Sequence, residues 1–122
     1  MKKNTLWLLA IIVGAGLSIP AQATYNATVT GVITFVQQDS GVLMSPETTL
    51  FQLSTQPTVA CPLHYFGISP ATVPDANTRR NMVAAILTAK ATGAAVEVAY
   101  DSTGAYCDQQ MVAVYYIVIM PS

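Results

Sequence analysis

The chain has 122 residues, of which 52% are hydrophobic and only 9% are charged, and its formal net charge at pH 7 is −1. Five basic residues are too few to neutralise a run of phosphates, which excludes nucleic acid as a partner. One histidine and two cysteines leave few ligands for a metal site and few groups for catalysis.

The first 23 residues have the features of a secretory signal peptide. Lys2 and Lys3 precede an apolar run from Leu6 to Leu17, and Ala-Gln-Ala at 21–23 is a small-x-small cleavage site. The run is shorter than the roughly 18 to 20 residues that span a bilayer, so we expect no stable membrane insertion after the signal is removed. Cleavage leaves residues 24–122 as one domain with three basic and six acidic residues, a net charge of −3. We expect this domain to be periplasmic or secreted.

The mature chain begins with a predicted strand from Ala27 to Gln38. Its threonines and aliphatic residues alternate, so that Val29, Ile33 and Phe35 share one face with Gly31. A glycine in the middle of a strand often marks a bulge or a bend.

Two shorter strands are predicted next. Thr49 to Ser54 follows a turn and reads as a strand. Leu63 to Ile68 is predicted as a short edge strand, because Pro57 and Pro62 before it cannot donate to a ladder.

The two cysteines, Cys61 and Cys107, both lie in the exported part, 46 positions apart. Oxidising compartments preserve disulfides and small domains need them, which favours a disulfide between the two. A metal site is the alternative, but His64 is the only histidine and the cysteines are not closely spaced.

A helix follows the third strand. Asp75 or Asn77 can act as its N-cap, and Gly93 is placed to end it. Arg79 and Arg80 are predicted to lie on a solvated face. The apolar residues that recur at helical spacing are Met82, Val83, Ile86 and Leu87.

Two strands close the chain. The first is Ala95 to Tyr100, whose even-numbered residues share a face, and the second is Met111 to Met120. Nearly every residue of the last strand is apolar, which predicts that both of its faces are covered. Tyr115 and Tyr116 are predicted to point to opposite faces, because side chains alternate along a strand.

This order of elements predicts a mainly β fold with one helix, namely a five-stranded Greek-key barrel (OB-fold) with the helix between the third and fourth strands. The segments "VTGVITF" at 29–35 and "ATGAAVEVAY" at 91–100, with Cys61 before the helix, resemble the B subunits of subtilase cytotoxin and typhoid toxin. The chain is also similar to short, uncharacterised exported proteobacterial proteins with a cysteine pair. The toxin subunits form rings of five, bind sialylated glycans and carry a catalytic subunit, so the resemblance implies these partners here.

The resemblance also implies a sugar site. Thr30 matches a hydroxyl residue that touches the sugar in the toxin subunits, and Tyr100 matches a tyrosine that lines their pocket. Asn26 stands where the toxins have an acidic residue. Cys107 lies earlier in the chain than the second cysteine of the toxins, so the disulfide departs from their pattern.

We therefore predict a non-catalytic protein, without cofactor or metal, that recognises glycans, sialylated ones among them, as an oligomer. The alternative is a periplasmic interaction or inhibitor domain that binds no sugar. A small hydrolase is disfavoured because His64 has no partner that the sequence places beside it. Glu97 and Asp101 would lie about 13 Å apart along an extended strand, too far for paired-carboxylate chemistry.

Overall fold

A computed structural model describes residues 25–39, 41 and 44–121, so the predicted signal peptide lies outside the described residues. Within these ranges the chain is mainly β-strand with one helix, as predicted, and that helix is not long and apolar enough to cross a membrane. The elements are β1 (Ala27–Asp39), β2 (Thr48–Leu53), β3 (Phe66–Ile68), α1 (Ala76–Thr92), β4 (Ala95–Tyr100), β5 (Cys107–Asp108) and β6 (Met111–Ile119).

Five of the strands pair in a closed ring. β1 pairs antiparallel with β2 on one side and β4 on the other, β2 continues to β3, and β4 continues to β6. A parallel pairing between β3 and β6 closes the ring, and the short β5 adds to the start of β6. β1 is long enough to serve two neighbours, with Ala27 to Val32 on β4 and Ile33 to Asp39 on β2.

β3 is an interior strand of this ring. The prediction of an edge strand at Leu63 to Ile68 is therefore wrong, because Phe66–Ile68 pairs with β2 on one side and β6 on the other. The two prolines that suggested an edge, Pro57 and Pro62, both precede the strand and remove no donor from it.

A register shift in β1 changes which residues face the core. The shift lies between Ile33 and Phe35, so that Phe35 is 37% exposed and Val36 packs against the core in its place. The prediction that Phe35 shares the face of Val29 and Ile33 is therefore wrong. Gly31 allows Ser54 to lie close to the backbone of β1, since a Cβ at Gly31 would be 3.1 Å from Ser54 Oγ.

The core fills the space between the ring of strands and α1. Phe51 and Phe66 stack with ring centroids 5.1 Å apart, and Tyr100 meets Phe66 edge-on at 6.1 Å. Met82 and Ile86 of α1 are buried in the same cluster. The predicted alternation of β4 is confirmed, because Val96, Val98 and Tyr100 all belong to this core.

Helix α1 has the predicted caps. Asp75 is the N-cap and accepts the Thr78 N–H at 2.8 Å, and Gly93 ends the helix at φ 74° while donating its N–H to Ala89 O at 2.8 Å. The predicted solvated position of Arg79 is wrong, because this residue is only 7% exposed.

The predicted disulfide is present. Cys61 and Cys107 are bonded, with Cα atoms 5.7 Å apart. The bond fastens the segment before β3 to the first residue of β5, 46 positions later in the chain.

Candidate functional site

The structure does not bring Thr30 and Tyr100 together. Tyr100 belongs to the core and is 9% exposed, whereas Thr30 is exposed. Thr30 lies opposite Glu97 in the β1–β4 ladder, and Glu97 alternates with the core residues Val96 and Val98. Thr30 and Tyr100 therefore lie on opposite faces of the sheet.

Asn26 is occupied by the turn after β4. Its side-chain Oδ1 accepts the Ser102 N–H at 2.9 Å and the Ser102 hydroxyl at 3.0 Å. Its own backbone N–H donates to Tyr100 O at 3.1 Å. The carboxamide oxygen of Asn26 thus holds a loop, and it is not free to orient a ligand.

The outer side of the β1–β4–β6 sheet carries polar, aromatic and aliphatic side chains that lie next to one another in the ladder. In one row Thr30 lies opposite Glu97, which lies opposite Val118. In the next row Ala99 lies between Thr28 of β1 and Tyr116 of β6. We name this surface the outer face, defined by Tyr25, Thr28, Thr30, Val32, Glu97, Tyr116 and Val118.

A bulge in β6 brings two consecutive tyrosines to this region. Ala99 pairs with Tyr116 and Tyr100 with Val114, which leaves Tyr115 as the extra residue. The ring of Tyr25 contacts both tyrosines, edge-on at 5.3 Å from Tyr116 and tilted at 6.5 Å from Tyr115. The prediction that Tyr115 and Tyr116 point to opposite faces is therefore wrong.

The polar groups of the outer face are already aligned. The Tyr116 hydroxyl donates to Glu97 Oε1 at 3.4 Å. Desolvation and then the nearby Glu97 charge raise the pKa of the Tyr116 phenol above its usual value of 10.0, which favours the protonated hydroxyl that donates to Glu97. The ring of Tyr25 beside it is 49% exposed and available for stacking.

The charge of the outer face is negative. Glu97 is the acidic residue in it, whereas every lysine and arginine in residues 25–121 lies on α1, at positions 79, 80 and 90. A ligand on this face would therefore meet a carboxylate, hydroxyls and aromatic rings without a cation.

The two halves of β6 differ in how far their side chains are buried. Met111 to Val114 are buried on both faces, as expected for an apolar strand. Val118 and Ile119 are 44% and 38% exposed, so the end of the strand is not covered within a single chain. The apolar end of β6 therefore exposes Val118, which lies opposite Glu97 in the ladder.

Metal-binding groups do not assemble in the part of the chain that the structure describes. No group of three or more His, Cys, Asp or Glu side chains there could hold a metal ion. His64 is exposed, and its backbone carbonyl, rather than its imidazole, accepts a hydrogen bond from Gln52 Nε2 at 2.9 Å.

A groove of about 370 Å³ lies between α1 and the neighbouring ends of β1 and β2. Its walls combine apolar helix residues, including Val83 and Leu87, with the ion pair between Arg79 and Glu47. Arg79 also donates to two backbone carbonyls, so its guanidinium is engaged within the protein. The groove is therefore a weaker candidate than the outer face, where the Tyr25 ring and two threonines are exposed.

No protein-family model, curated protein or solved structure matches the chain. Sequence reasoning missed the roles of Tyr25, Glu97 and Tyr116 in the outer face. The alternation of side chains along β4 already predicted that Glu97 lies on the other face of the strand from the core residues Val96 and Val98. The bulge that turns Tyr116 toward Tyr25 has no sequence signal such as a glycine.

Proposed function

We propose that this protein is an exported, non-catalytic binding protein that recognises a neutral glycan on the outer face. One observation carries the proposal: an exposed tyrosine ring, two exposed threonines and a carboxylate lie together on one side of a three-stranded sheet. Sugars offer an apolar face for stacking and hydroxyls for hydrogen bonds, and these groups match both.

Each group has a definite task in this proposal. The Tyr25 ring stacks on the apolar face of a sugar, while the Glu97 carboxylate accepts hydrogen bonds from sugar hydroxyls. Thr30 lies directly across the ladder from Glu97 and can donate or accept beside it. Tyr116 orients Glu97 through their hydrogen bond.

A neutral glycan fits better than a sialylated one. The sialic acid carboxylate would meet Glu97 without a cation to offset the repulsion between like charges. The sialylated ligands implied by the toxin resemblance therefore require a different position from the outer face.

The fold supports an OB-fold interpretation of the chain. A closed ring of five strands with a helix between the third and fourth strands is the order that this fold requires. The disulfide is compatible with export, because oxidising compartments preserve such bonds. The toxin-like ring of five and a catalytic partner subunit stay predictions.

The test is a panel of immobilised oligosaccharides in matched pairs, each with and without a terminal sialic acid, screened with the mature protein. We expect binding to neutral members and weaker binding to their sialylated counterparts. Glu97→Gln should reduce binding to the neutral members. It should also make the affinities for the neutral and the sialylated member of each pair more similar. Absence of binding to every member, with the disulfide intact and the fold confirmed by circular dichroism, contradicts the proposal.

A second function, a protein-interaction domain without sugar binding, is favoured by the apolar side chains on and beside the same surface. Val32, Val118 and Ile119 are each between 38% and 44% exposed. If the glycan panel is negative, this function takes its place.

A further inference from the structure

The second half of β6 has one edge that lacks a neighbouring strand. Tyr116 to Ile119 pair with β4 on one side. On the other side the pairing of β6 with β3 ends at Ala113. β5 pairs with β6 across from β3 and reaches only Val112. Beyond Ala113, none of the strands in the described residues pairs with this edge. Helix α1 also contacts β6, but a helix satisfies its own backbone groups and cannot complete a ladder.

The direction of the backbone groups can be deduced from the ladder with β4. The Met120 N–H donates to Ala95 O at 2.9 Å. Residues bonded to a given neighbour alternate in an antiparallel ladder, so Val118 also bonds to β4. Ile117 and Ile119 consequently direct their N–H and C=O groups toward the open edge.

This edge lacks the usual protection against pairing. Natural edge strands carry charged residues or prolines, but Met111 to Met120 contain neither. The side chains at the end of the edge are exposed and apolar, with Val118 at 44% and Ile119 at 38%. An edge of this kind is a template for another strand.

We propose that the occupant is a second copy of this chain, whose β6 pairs antiparallel with the first β6 about a two-fold axis at Ile117. In this register Ile117 lies opposite Ile117 of the second copy, and Tyr115 lies opposite Ile119. Both copies present their open N–H and C=O groups to each other, as an isologous interface requires. The result is a continuous six-stranded sheet in the order β1–β4–β6–β6–β4–β1.

The charges of the two copies permit this arrangement. Glu97 on β4 is the acidic residue that pairs in the β4–β6 ladder. The two Glu97 strands would be three strand spacings apart, about 14 Å. That separation exceeds the Debye length of about 8 Å at physiological salt, so their repulsion is largely screened.

A head-to-tail arrangement would need an open edge on β1 as well. That edge is covered near its centre, because a Cβ at Gly31 would lie 3.1 Å from Ser54 Oγ and 3.2 Å from Thr55 N. In addition, Ser54 donates its N–H to Val32 O at 2.8 Å. The two-fold arrangement uses the β6 edge alone and therefore fits this chain better.

The experiment measures mass in solution at tens of micromolar by sedimentation equilibrium, with two lysine variants. Ile119→Lys places a charge on the open edge, and Val32→Lys is the matched control because both side chains are 38% exposed. We expect twice the mass of one mature chain for the wild type and Val32→Lys, and a single-chain mass for Ile119→Lys. A monomeric wild type, a five-chain mass, or an Ile119→Lys variant as dimeric as Val32→Lys overturns the proposal.

Amide hydrogen exchange of the wild type provides a second readout that does not depend on a variant folding. The amides of Ile117 and Ile119 should gain protection as protein concentration rises, whereas that of Val118 should be protected at all concentrations. Protection of Ile117 and Ile119 that does not change with concentration would contradict the dimer. Neither readout uses a sugar, so the result is independent of the glycan proposal.

Discussion

Thr30 and Glu97 lie directly opposite each other on β1 and β4, on the solvent side of the sheet. Their pairing places the candidate site on the outer face and separates it from Tyr100, which packs against Phe66 in the core. Thr30, which the toxin resemblance identified, therefore belongs to the candidate site on the outer face. Its neighbour there is Glu97 and not Tyr100.

Substitution of Thr30 should separate the outer face from the Tyr100 pocket. Thr30→Val removes a hydroxyl at constant shape and should weaken glycan binding by about 0.5–1.5 kcal/mol, the contribution of a neutral hydrogen bond. Tyr100→Phe should leave binding unchanged, because this ring lies in the core. Calorimetric titration of both variants, with the exposed Thr34→Val as control, measures the difference. Weakening by Tyr100→Phe but not by Thr30→Val would move the site back to the predicted pocket.

The disulfide should contribute strongly to stability. Closing a loop of 46 residues is worth on the order of 4 kcal/mol in the chain-entropy model. Replacing both cysteines with alanine should therefore lower the free energy of unfolding by about 2–4 kcal/mol in a urea titration. Reductant should destabilise the wild type and leave the double variant unchanged. Free thiols in protein isolated from the periplasm would contradict this expectation.

Arg79 should matter far more to stability than its neighbour Arg80. The Arg79 guanidinium donates to Val73 O at 2.8 Å, to Pro74 O at 3.0 Å, and to Glu47. Arg79→Met leaves the buried Val73 carbonyl without this donor, which costs about 1–3 kcal/mol. Arg80→Met, at an exposed position one residue away, should change the free energy of unfolding little. Equal effects of the two substitutions would show that the Arg79 contacts do not stabilise the fold.

Tyr115 should make the protein sensitive to alkaline pH. Burial, followed by the Asp101 charge, raises the pKa of the Tyr115 phenol above its usual value of 10.0. Between pH 10 and the folded-state pKa the unfolded chain ionises first, so the free energy of unfolding falls as pH rises. Tyr115→Phe should flatten this fall when thermal midpoints are compared from about pH 8 to pH 11.

The same substitution has an expected effect at neutral pH. The Tyr115 hydroxyl is buried and has no hydrogen-bond partner in the described residues, so its removal should leave stability unchanged or raise it. The expectation is contradicted if Tyr115→Phe is less stable than the wild type at pH 7. It is also contradicted if the thermal midpoint of the variant falls as steeply as that of the wild type above pH 10.

Local signals predicted the elements of the fold well. Asp75 and Gly93 end the helix because a carboxylate accepts the first amides and a glycine adopts positive φ, and both effects act within a few residues. The face of β4 was predictable because side chains alternate in an uninterrupted strand.

The errors arose where a ladder partner sets the geometry. Each of the two bulges adds one residue to a strand, which turned Phe35 outward and placed Tyr115 beside Tyr116. The burial of Arg79 depends on carbonyls before the helix and on Glu47 from a distant loop. A single sequence cannot show these relations, and for that reason the predicted site contained Thr30 but lacked Glu97 and Tyr116.

The most direct test of the glycan proposal is a titration of isotope-labelled mature protein with the neutral oligosaccharide that binds best, followed by NMR. We expect chemical-shift changes concentrated at Tyr25, Thr30, Glu97 and Tyr116, saturating with one sugar per chain. Changes concentrated instead around Leu87 in the groove beside α1, or no changes at any sugar concentration, would contradict the glycan proposal.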